Sequence, residues 1–560
     1  MQAGESHGAE RAGGGLGPSR ARPSGGAAWL GPLAAAAFSA TLLSGFAWLC
    51  VDGLWRPDAF DYAQIAREIA RGHGMSSLQA IYALHLDFLR GHDGFAAPWP
   101  NLHRFPLPSL VLALWFRWLG PGTLAVVAYG VAFHAATSAL LFGWARAALG
   151  TVAAAATVIL FTCNGAMLES ACSGLSEPPV AFFFTLSAWA AWRASRRNAT
   201  ALWLAAGAAL GAATLARTNA LLAAPWFALA LALQAGWGEG AARTRARGAL
   251  LAGALFAGGL LLVLAPWLLR NQALTGSPFF SLHGYFLLPS GTGASWEKWD
   301  LTVPWVRERV PPLEFALAHP DALLAKWWRH LRALLADLPT FAATFGVFPL
   351  ALVATLLPLR SGLRALAGLA CGAFALNALL VSLTDFYFDK YSFHFLPLAI
   401  LLAVAVLDRA LDRLAPGRAR GLAFGLALVV MADPPGIASA FERVPAQSAR
   451  FERSHFERLR DWTGARDVIL SDQSYAVAWQ ADRRSVRLHY DRLADGTPVL
   501  GALAISEHYL PIQGVYLSRE FLREPSRRQI LRDTLERQPR FRRVFPRLHE
   551  FEGGALYFSR

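Results

Sequence analysis

Long apolar runs recur along the chain and limit the folds that are open to it. The runs 28–51, 123–144 and 249–269 contain no Asp, Glu, Lys or Arg. Each is long enough for one α-helix to cross about 30 Å of hydrocarbon. Hydrophobic residues make up 55% of the 560 residues and charged residues only 16%, which is unusual for a soluble globular chain. The sequence therefore predicts an α-helical polytopic membrane protein.

The apolar runs predict about eleven transmembrane helices. They cover residues 28–51, 122–145, 150–170, 178–193, 200–216, 219–237, 248–269, 339–358, 363–384, 395–413 and 420–437. The further segment 105–119 is apolar but short. If it does not cross, the short arginine-rich loops all lie on the N-terminal side, as cytoplasmic loops should. We therefore expect 105–119 to lie along the membrane surface.

These spans divide the chain into three parts. Residues 1–27, rich in Gly, Ala, Ser and Arg, are expected to form a disordered cytoplasmic N-terminus. Residues 28–440 form the transmembrane domain, with outer loops at 52–121 and 270–338. Residues 441–560 contain no spanning run, and short apolar strands such as 467–470 and 514–518 alternate with helical stretches. This pattern predicts a small extracytoplasmic α/β domain.

The charge distribution and the cysteines argue against a nucleic-acid-binding protein, a disulfide framework and a cysteine metal site. The net charge of +14 comes mostly from arginines beside the apolar runs and in the C-terminal part. That distribution fits membrane topology and anionic headgroups better than nucleic acid. The four cysteines lie in or at the ends of apolar runs. They indicate neither a disulfide framework nor a metal site.

Polar residues cluster on the predicted outer face. Asp58, Asp61 and Tyr62 fall three and four positions apart in a short predicted helix directly after the first span, so their side chains project near one another. Glu177 begins a later span, and Arg104, Arg217, Arg270 and Lys390 stand at outer membrane boundaries. Charges converging at one interface indicate a functional site or an ion-pair network.

Each of these residues also has a structural interpretation. Asp58 can simply cap its helix. Glu177 can favour the positive end of the helix dipole. An interfacial Arg or Lys can reach to lipid headgroups. The tryptophan-rich segment 281–338, with Trp296, Trp299 and Trp305, is typical of an aromatic membrane belt, and the alternative is a lid over a sugar.

Five short motifs, in order on the inferred outer face, resemble the GT-C superfamily of membrane glycosyltransferases. The likeness is to the branch that includes protein O-mannosyltransferases and the lipid A aminoarabinose transferase, related to glycosyltransferase family 39. The matching residues are Asp58, Tyr62, Ile65, Ala66, Arg67, Ile69 and Gly72; Arg104, Pro106 and Pro108; Ser176, Glu177 and Pro178; Leu215 and Arg217; and Pro266, Trp267, Arg270, Asn271, Gly276, Pro278 and Phe280.

The C-terminal stretch 469–486 also looks like the family's strand followed by Ala-Trp-x-x-x-Arg. Two positions depart from the family pattern. Asp58 is followed by Ala59, where the family often has an Asp-Glu pair, and Lys390 stands where the family has an arginine. The catalytic carboxylate implied by the resemblance is therefore Asp58, with Asp61 as the rival.

The resemblance implies transfer of a hexosyl or pentosyl group, with inversion, from a polyprenyl-phosphate donor. The acceptor would be a lipid, polysaccharide or protein on the periplasmic face of a bacterial inner membrane. Asp58 or Asp61 would be the base, and Tyr62, Arg104, Glu177, Arg217, Arg270 and Lys390 would bind substrate. No cofactor is expected, and a bound divalent cation is left open. Some GT-C enzymes use a divalent cation, but the carboxylates here lack the spacing of a metal site.

Two other functions fit a polytopic envelope protein. A transporter or flippase should place charges inside spans near the bilayer midplane, whereas here they gather at one surface. A non-catalytic scaffold with the GT-C fold would differ only around Asp58, so the sequence does not separate it from an enzyme.

Overall fold

The computed structural model describes residues 28–81, 83–90, 98–197, 199–237, 242–282, 288, 292, 311–359, 362–384, 388–414 and 418–559. The predicted disordered segment 1–27 and the tryptophans Trp296, Trp299 and Trp305 lie outside these residues.

Helices dominate the part of the chain that begins at Leu30 and ends at Trp462. The first eleven are α1 (Leu30–Cys50), α2 (Pro57–Ala70), α3 (Ala83–Arg90), α4 (Pro106–Leu119), α5 (Thr123–Ala148), α6 (Thr151–Thr162), α7 (Gly165–Ser173), α8 (Glu177–Arg197), α9 (Ala201–Ala216), α10 (Ala224–Trp237) and α11 (Ala242–Thr275). The next nine are α12 (Pro312–Ala318), α13 (Pro320–Asp337), α14 (Val347–Val353), α15 (Leu363–Thr384), α16 (Phe388–Ser392), α17 (Leu396–Leu414), α18 (Arg418–Met431), α19 (Pro434–Ser448) and α20 (Arg453–Trp462).

The polytopic helical architecture is confirmed. Within the described residues, six helices are long and apolar enough to cross a membrane, or up to eight if each of two bent pairs forms one span. The predicted count of eleven also included shorter helices such as α9, which has 16 residues. Helix α4 has 14 residues, about 21 Å at 1.5 Å per residue, less than the roughly 30 Å of hydrocarbon. Its placement along the membrane surface stays a prediction.

Small residues let the membrane helices approach one another closely. A Cβ atom added to Gly207 of α9 would lie 1.9 Å from the carbonyl oxygen of Phe256 in α11. A Cβ atom at Gly259 of α11 would lie 2.2 Å from the Leu204 carbonyl oxygen. Side chains at these positions would push the helices apart, and such small-residue contacts are typical of helix packing in membranes.

The predicted span 150–170 is broken near its outer end. Helices α6 and α7 meet at an angle of 63°. The break lies just before Asn164, whose side-chain oxygen accepts a hydrogen bond from the Met167 amide at 3.0 Å and so caps α7. Helix α7 therefore turns away from the axis of α6 and brings its residues toward the start of α2.

The C-terminal part forms the predicted α/β unit around a six-stranded sheet. Its helices are α21 (Ser474–Ala476), α22 (Ala502–His508), α23 (Arg519–Arg523), α24 (Pro525–Arg537) and α25 (Pro539–Val544). The strands of the described residues are β1 (Ser76–Ser77), β2 (Gln79–Ala80), β3 (Trp99–Pro100), β4 (Val468–Ser471), β5 (Arg484–Arg487), β6 (Tyr490–Arg492), β7 (Pro498–Leu500), β8 (Gly514–Ser518), β9 (Arg547–Phe551) and β10 (Gly554–Phe558). The sheet has the order β2-β5-β4-β8-β10-β9.

Strand β2 comes from the first outer loop and not from the C-terminal part. It pairs in parallel with β5, with Gln79 opposite Ser485 and Ala80 opposite Val486. The first outer loop and the C-terminal unit thus share one sheet. The boundary at residue 441 between a transmembrane and a periplasmic domain stays a prediction.

Charged residues of α2 attach this helix to the C-terminal unit. Arg67 donates hydrogen bonds to the carbonyl oxygens of Trp479 (2.7 Å) and Ala478 (2.8 Å). It also forms an ion pair of 2.7 Å with Asp482, and its guanidinium lies over the Trp479 ring. Arg71 reaches the same carboxylate at 2.9 Å, but its side chain is 41% exposed, against 10% for Arg67.

Because Arg67 is buried and Arg71 is not, their loss should have different effects. We expect Arg67→Ala to lower the free energy of unfolding by about 3 kcal/mol. The substitution removes the cation that pairs with Asp482 and that bonds the carbonyl oxygens of Ala478 and Trp479. Arg71→Ala should cost less than about 1 kcal/mol. Denaturant unfolding of the detergent-solubilised protein measures both. Equal losses in the two variants would contradict the anchoring role of Arg67.

Candidate active site

The site begins at the N-terminus of α2. Arg56 is extended, and Pro57 occupies the first helical turn, where proline is favoured because its missing N–H is not needed there. Asp58 follows in the same turn, and Asp61 lies one turn later. Phe60, between them, packs against Phe451 and Tyr475 on the other side of the helix. The packing of Phe60 directs the two carboxylates away from that apolar contact.

Asp58 is held between two cations from distant parts of the chain. Arg104 Nη2 lies 2.5 Å from Asp58 Oδ1, and Lys390 Nζ bonds the other carboxylate oxygen. Burial opposes ionisation of Asp58, but the charges of Arg104 and Lys390 outweigh it and hold the pKa well below its usual range. The side chain remains 19% exposed. Asp58 is thus ionised and still accessible from one side.

Asp61 faces the protein interior. Its Oδ2 accepts from Arg104 Nε at 2.7 Å and contacts His103 Nε2 at 2.9 Å. The Gln79 amide fits best with its nitrogen 2.9 Å from Asp61 Oδ1 and its oxygen accepting from Ser474. Burial raises the pKa of Asp61, but His103 and Arg104 outweigh burial and lower it. The side chain is only 1% exposed, so both oxygens are occupied by the protein.

A second ion pair lies on the same face. Arg217 Nη2 is 3.1 Å from Glu177 Oε1, and both side chains are buried. Arg217 also donates to the carbonyl oxygen of Lys390 and lies over the Tyr391 ring at 5.2 Å. Arg217 therefore connects the start of α8 to α16, the short helix that brings Lys390 to Asp58.

Amide side chains position α16 further. Asn219 donates to the Tyr391 carbonyl oxygen and, at 2.9 Å, to Asn377 Oδ1. Asn377 in turn donates to Ser392 Oγ at 2.9 Å. These bonds tie α16 to the 3-10 turn Thr218–Ala223, which precedes α10, and to α15. The position of Lys390 beside Asp58 is thus built by three elements that are far apart in sequence.

Several buried polar atoms near the ion pairs have no hydrogen-bond partner within the described part of the chain, and three of them are candidate ligand-binding groups. These three are Glu177 Oε2, Ser176 Oγ and Tyr129 Oη. A buried polar group without a partner costs roughly 1–3 kcal/mol. Such atoms are ready to bind the polar groups of a ligand. Tyr62, the remaining predicted site residue of α2, places its ring 5.3 Å from the Arg104 guanidinium.

Arg270 contacts the loop that carries Arg104. Its Nη2 donates to the carbonyl oxygens of Met75 (3.1 Å) and Asn101 (2.9 Å), and its guanidinium lies 4.6 Å from the Trp267 ring. Asn101 bonds the backbone of Arg104 through both of its side-chain polar atoms. The described contacts of Arg270 are therefore with backbone that supports the site, and its predicted binding of substrate stays a prediction.

Sequence reasoning missed Glu169 of α7. Its Oε2 lies 2.7 Å from Arg56, and its Oε1 lies 2.6 Å from Arg443 of α19. Arg56 directly precedes α2, so this carboxylate helps to fix where α2 begins. The available signal was an acidic residue inside the apolar run 150–170, because ionisable residues in such runs are rare and usually paired.

The side chains that could ligate a metal ion are dispersed in the described structure. Within the described residues, no three His, Cys, Asp or Glu side chains are grouped as a metal ion would require. The carboxylates of Asp58 and Asp61 are instead paired with Arg104, Lys390 and His103.

The fold is similar to solved structures over almost the full chain. The crystal structure of ArnT from Cupriavidus metallidurans bound to undecaprenyl phosphate aligns with a TM-score of 0.57 and 14% identity, covering 96% of this chain and 98% of ArnT. The Archaeoglobus fulgidus oligosaccharyltransferase in complex with Zn and sulfate aligns with a TM-score of 0.55 and 12% identity, covering 94% of this chain and 73% of its own.

A third structure is AglB from Archaeoglobus fulgidus, an archaeal oligosaccharyltransferase, in complex with an inhibitory peptide and a dolichol-phosphate. It has a TM-score of 0.52 and 11% identity, covering 94% of this chain and 74% of its own. The chain has a GT-C fold. At these identities the likeness shows the fold alone, and the fold suggested by the sequence motifs is confirmed. No protein-family model and no curated protein sequence matches the chain.

A buried histidine pair, His85 and His103, lies beside Asp61 and is expected to make the folded protein sensitive to acid. His85 Nε2 contacts the Pro100 carbonyl oxygen at 2.9 Å, and its ring lies 5.7 Å from that of His103. Burial, together with the neighbouring His103, lowers the pKa of His85 to about 3. An unfolded histidine binds a proton near pH 6.5. The stability due to neutral His85 is therefore full above about pH 6.5 and is lost progressively as the pH falls toward 3.

We expect His85→Gln, which can retain the bond to Pro100, to reduce the loss of thermal stability between pH 7.0 and 4.5. The exposed His319→Gln serves as the matched control and should keep the wild-type pH dependence. The melting temperature of the detergent-solubilised protein across this range measures the effect. An unchanged slope in His85→Gln would show that His85 does not cause the acid sensitivity.

Proposed function

We propose that this protein is a glycosyltransferase of the bacterial inner membrane, with its active site on the periplasmic face. It transfers a hexosyl or pentosyl group from a polyprenyl-phosphate donor to a hydroxyl of a lipid, polysaccharide or protein acceptor. The observation that carries the proposal is an accessible, ionised Asp58 between Arg104 and Lys390 in a GT-C fold. ArnT, whose fold is similar, was solved bound to undecaprenyl phosphate.

Asp58 is the proposed base. It would take the proton of the acceptor hydroxyl while that oxygen attacks the anomeric carbon of the donor. The bond between the anomeric carbon and the phosphate oxygen breaks, and its electron pair leaves with the polyprenyl phosphate. Attack from the side opposite the leaving group inverts the anomeric carbon. Asp58 suits this task better than Asp61 because its side chain is 19% exposed and that of Asp61 only 1%.

Lys390, Arg104 and Arg217 are the proposed partners of the donor phosphate. Fixed cations stabilise the negative charge that grows on the departing phosphate. Lys390 is the most exposed of the three, with 37% of its side chain accessible. When a phosphate attracts Lys390, Asp58 loses one of the two charges that hold its pKa low. Donor binding would thereby make Asp58 a stronger base.

The other predicted residues receive supporting roles in this proposal. Asp61 positions Arg104, because it accepts the Nε–H while Asp58 accepts from Nη2. Glu177 Oε2, Ser176 Oγ and Tyr129 Oη would bind hydroxyl groups of the sugar, since they are buried without a partner in the described structure. Tyr62 supports the Arg104 guanidinium. No step is assigned to a metal ion.

Replacement of the base provides the first test. We expect Asp58→Asn to lower transfer or hydrolysis of a polyprenyl-phosphate sugar by at least about 100-fold, the usual contribution of a general base. Asp52→Asn, in the same outer loop, should keep wild-type activity. Full activity of Asp58→Asn with inactive Asp61→Asn would move the base to Asp61. Full activity of both variants would refute catalysis by this loop.

The pH profile provides a second test. Because Lys390 lowers the pKa of Asp58 in the free protein, we expect Lys390→Gln to move the acidic limb of kcat/KM to higher pH, in addition to raising KM for the donor. The profile of kcat/KM reports groups of the free enzyme. An acidic limb at the same pH in Lys390→Gln and wild type would contradict Asp58 as the group that titrates.

A further inference from the structure

A cavity lies inside the membrane domain, away from Asp58. Its volume is about 970 Å³, near the upper end of the roughly 300–1,000 Å³ found for ligand sites. It is enclosed mainly by α8, α10 and α15, with apolar side chains such as Ala188, Ala191, Phe227 and Leu369. None of the residues proposed above for glycosyl transfer lines it.

The directions of α8 and α15 place the arginine-bearing end of this cavity on the side of the membrane domain that faces away from the active site. Helix α8 starts at Glu177 in the site, and the cavity is lined by its later part, from Phe184 to Arg196. Helix α15 ends near α16 and Lys390, and the cavity is lined by its earlier part, from Arg364 to Ala373. The mouth therefore lies at the ends of these helices that face away from Asp58.

Two arginines stand at this mouth. Arg196 and Arg364 both line the cavity and are exposed. Arg196 lies over the Trp192 ring at 5.4 Å, and Arg364 Nε donates to the Thr355 carbonyl oxygen at 3.3 Å. Neither forms an ion pair with a carboxylate of the described residues. Among the described residues, no carboxylate thus competes with a ligand for these two charges.

The backbone also leaves room for an anion there. Gly362 has a φ of +70°, and a Cβ atom at this position would lie 3.8 Å from Arg196 Nη1 and 3.9 Å from the Trp192 indole nitrogen. Donors of two side chains therefore converge beside a residue without a side chain. Arg196 and Arg364 both line this end of the cavity, and guanidinium N–H groups match the oxygens of a phosphodiester.

We propose that this cavity binds one anionic phospholipid. Its acyl chains would lie among the apolar side chains of α8, α10 and α15, and its phosphate between Arg196 and Arg364. Apolar walls alone would accept any lipid tail, so the paired arginines supply the preference for negative charge. Basic pockets between transmembrane helices on the cytoplasmic side bind anionic headgroups in other proteins. In the orientation that the arginine-rich loops predict, the mouth faces that side.

The test compares lipid classes on the full-length protein. The purified protein would be incubated with equal amounts of phosphatidylglycerol and phosphatidylcholine, and bound lipid would be counted by native mass spectrometry. We expect at least fivefold more phosphatidylglycerol than phosphatidylcholine on the wild type. The double variant Arg196→Gln, Arg364→Gln should bind the two lipids equally. The control Arg193→Gln, one turn away on α8 and not lining the cavity, should retain the wild-type preference.

A substitution that fills the cavity provides a second test variant, which keeps both arginines. Gly368 lines the cavity and has no atom within 4 Å of an added Cβ, so Gly368→Leu should occupy the space and reduce bound phosphatidylglycerol at least fivefold. Gly253 of α11 is equally open and does not line the cavity, so Gly253→Leu is its control. Three results would refute the proposal: equal binding of both lipids by the wild type, an unchanged preference in the double arginine variant, or an unchanged amount of bound phosphatidylglycerol in Gly368→Leu. A loss of glycosyl transfer would not, because Asp58 takes no part.

Discussion

The bridge that Arg104 makes between Asp58 and Asp61 is the interaction on which the outer face depends. One guanidinium serves two carboxylates a single helical turn apart, at 2.5 and 2.7 Å. Without it, the two negative charges would repel each other, and the pKa of both carboxyl groups would rise. The loop that carries Arg104 is itself held in place. The Asn101 side chain donates to the Arg104 carbonyl oxygen, and Arg270 donates to the Asn101 carbonyl oxygen. The charge state of Asp58 therefore depends on the conformation of residues outside α2.

The support of this bridge extends into the C-terminal unit. Gln79 lies between Asp61 and Ser474, and Arg67 joins α2 to the backbone at Ala478 and Trp479. A carboxylate that is fixed by hydrogen bonds to residues on helices and strands is positioned more precisely than one on an unsupported loop. The sheet that β2 shares with the C-terminal unit is thus part of what positions the site, although its strands carry none of the proposed reacting groups.

The membrane helices and the residues that share the site could be predicted from the sequence, for physical reasons. The length of apolar runs is set by the bilayer, and the arginine-rich loops indicate which ends share a face, so Asp58, Arg104, Glu177, Arg217 and Lys390 were expected together. The different exposure of Asp58 and Asp61 could not be predicted, because it depends on contacts of Asp61 with His103 and Gln79. The break before Asn164 was also hidden, since an apolar run shows its length but not a bend. The lipid cavity depends on helix packing, which has no local signature.

The pairing of α2 with distant backbone has a consequence for biosynthesis. Arg67 and its acceptor at Trp479 are 412 positions apart. At bacterial-like elongation rates of about 5–20 residues per second, roughly 20 to 80 seconds separate their synthesis. During that interval the first outer loop has its carboxylates but not the strand β5 or the carbonyl groups that hold it. The membrane helices would therefore be inserted long before α2 is held in place, and the candidate site would be complete only when the C-terminal unit has been synthesised.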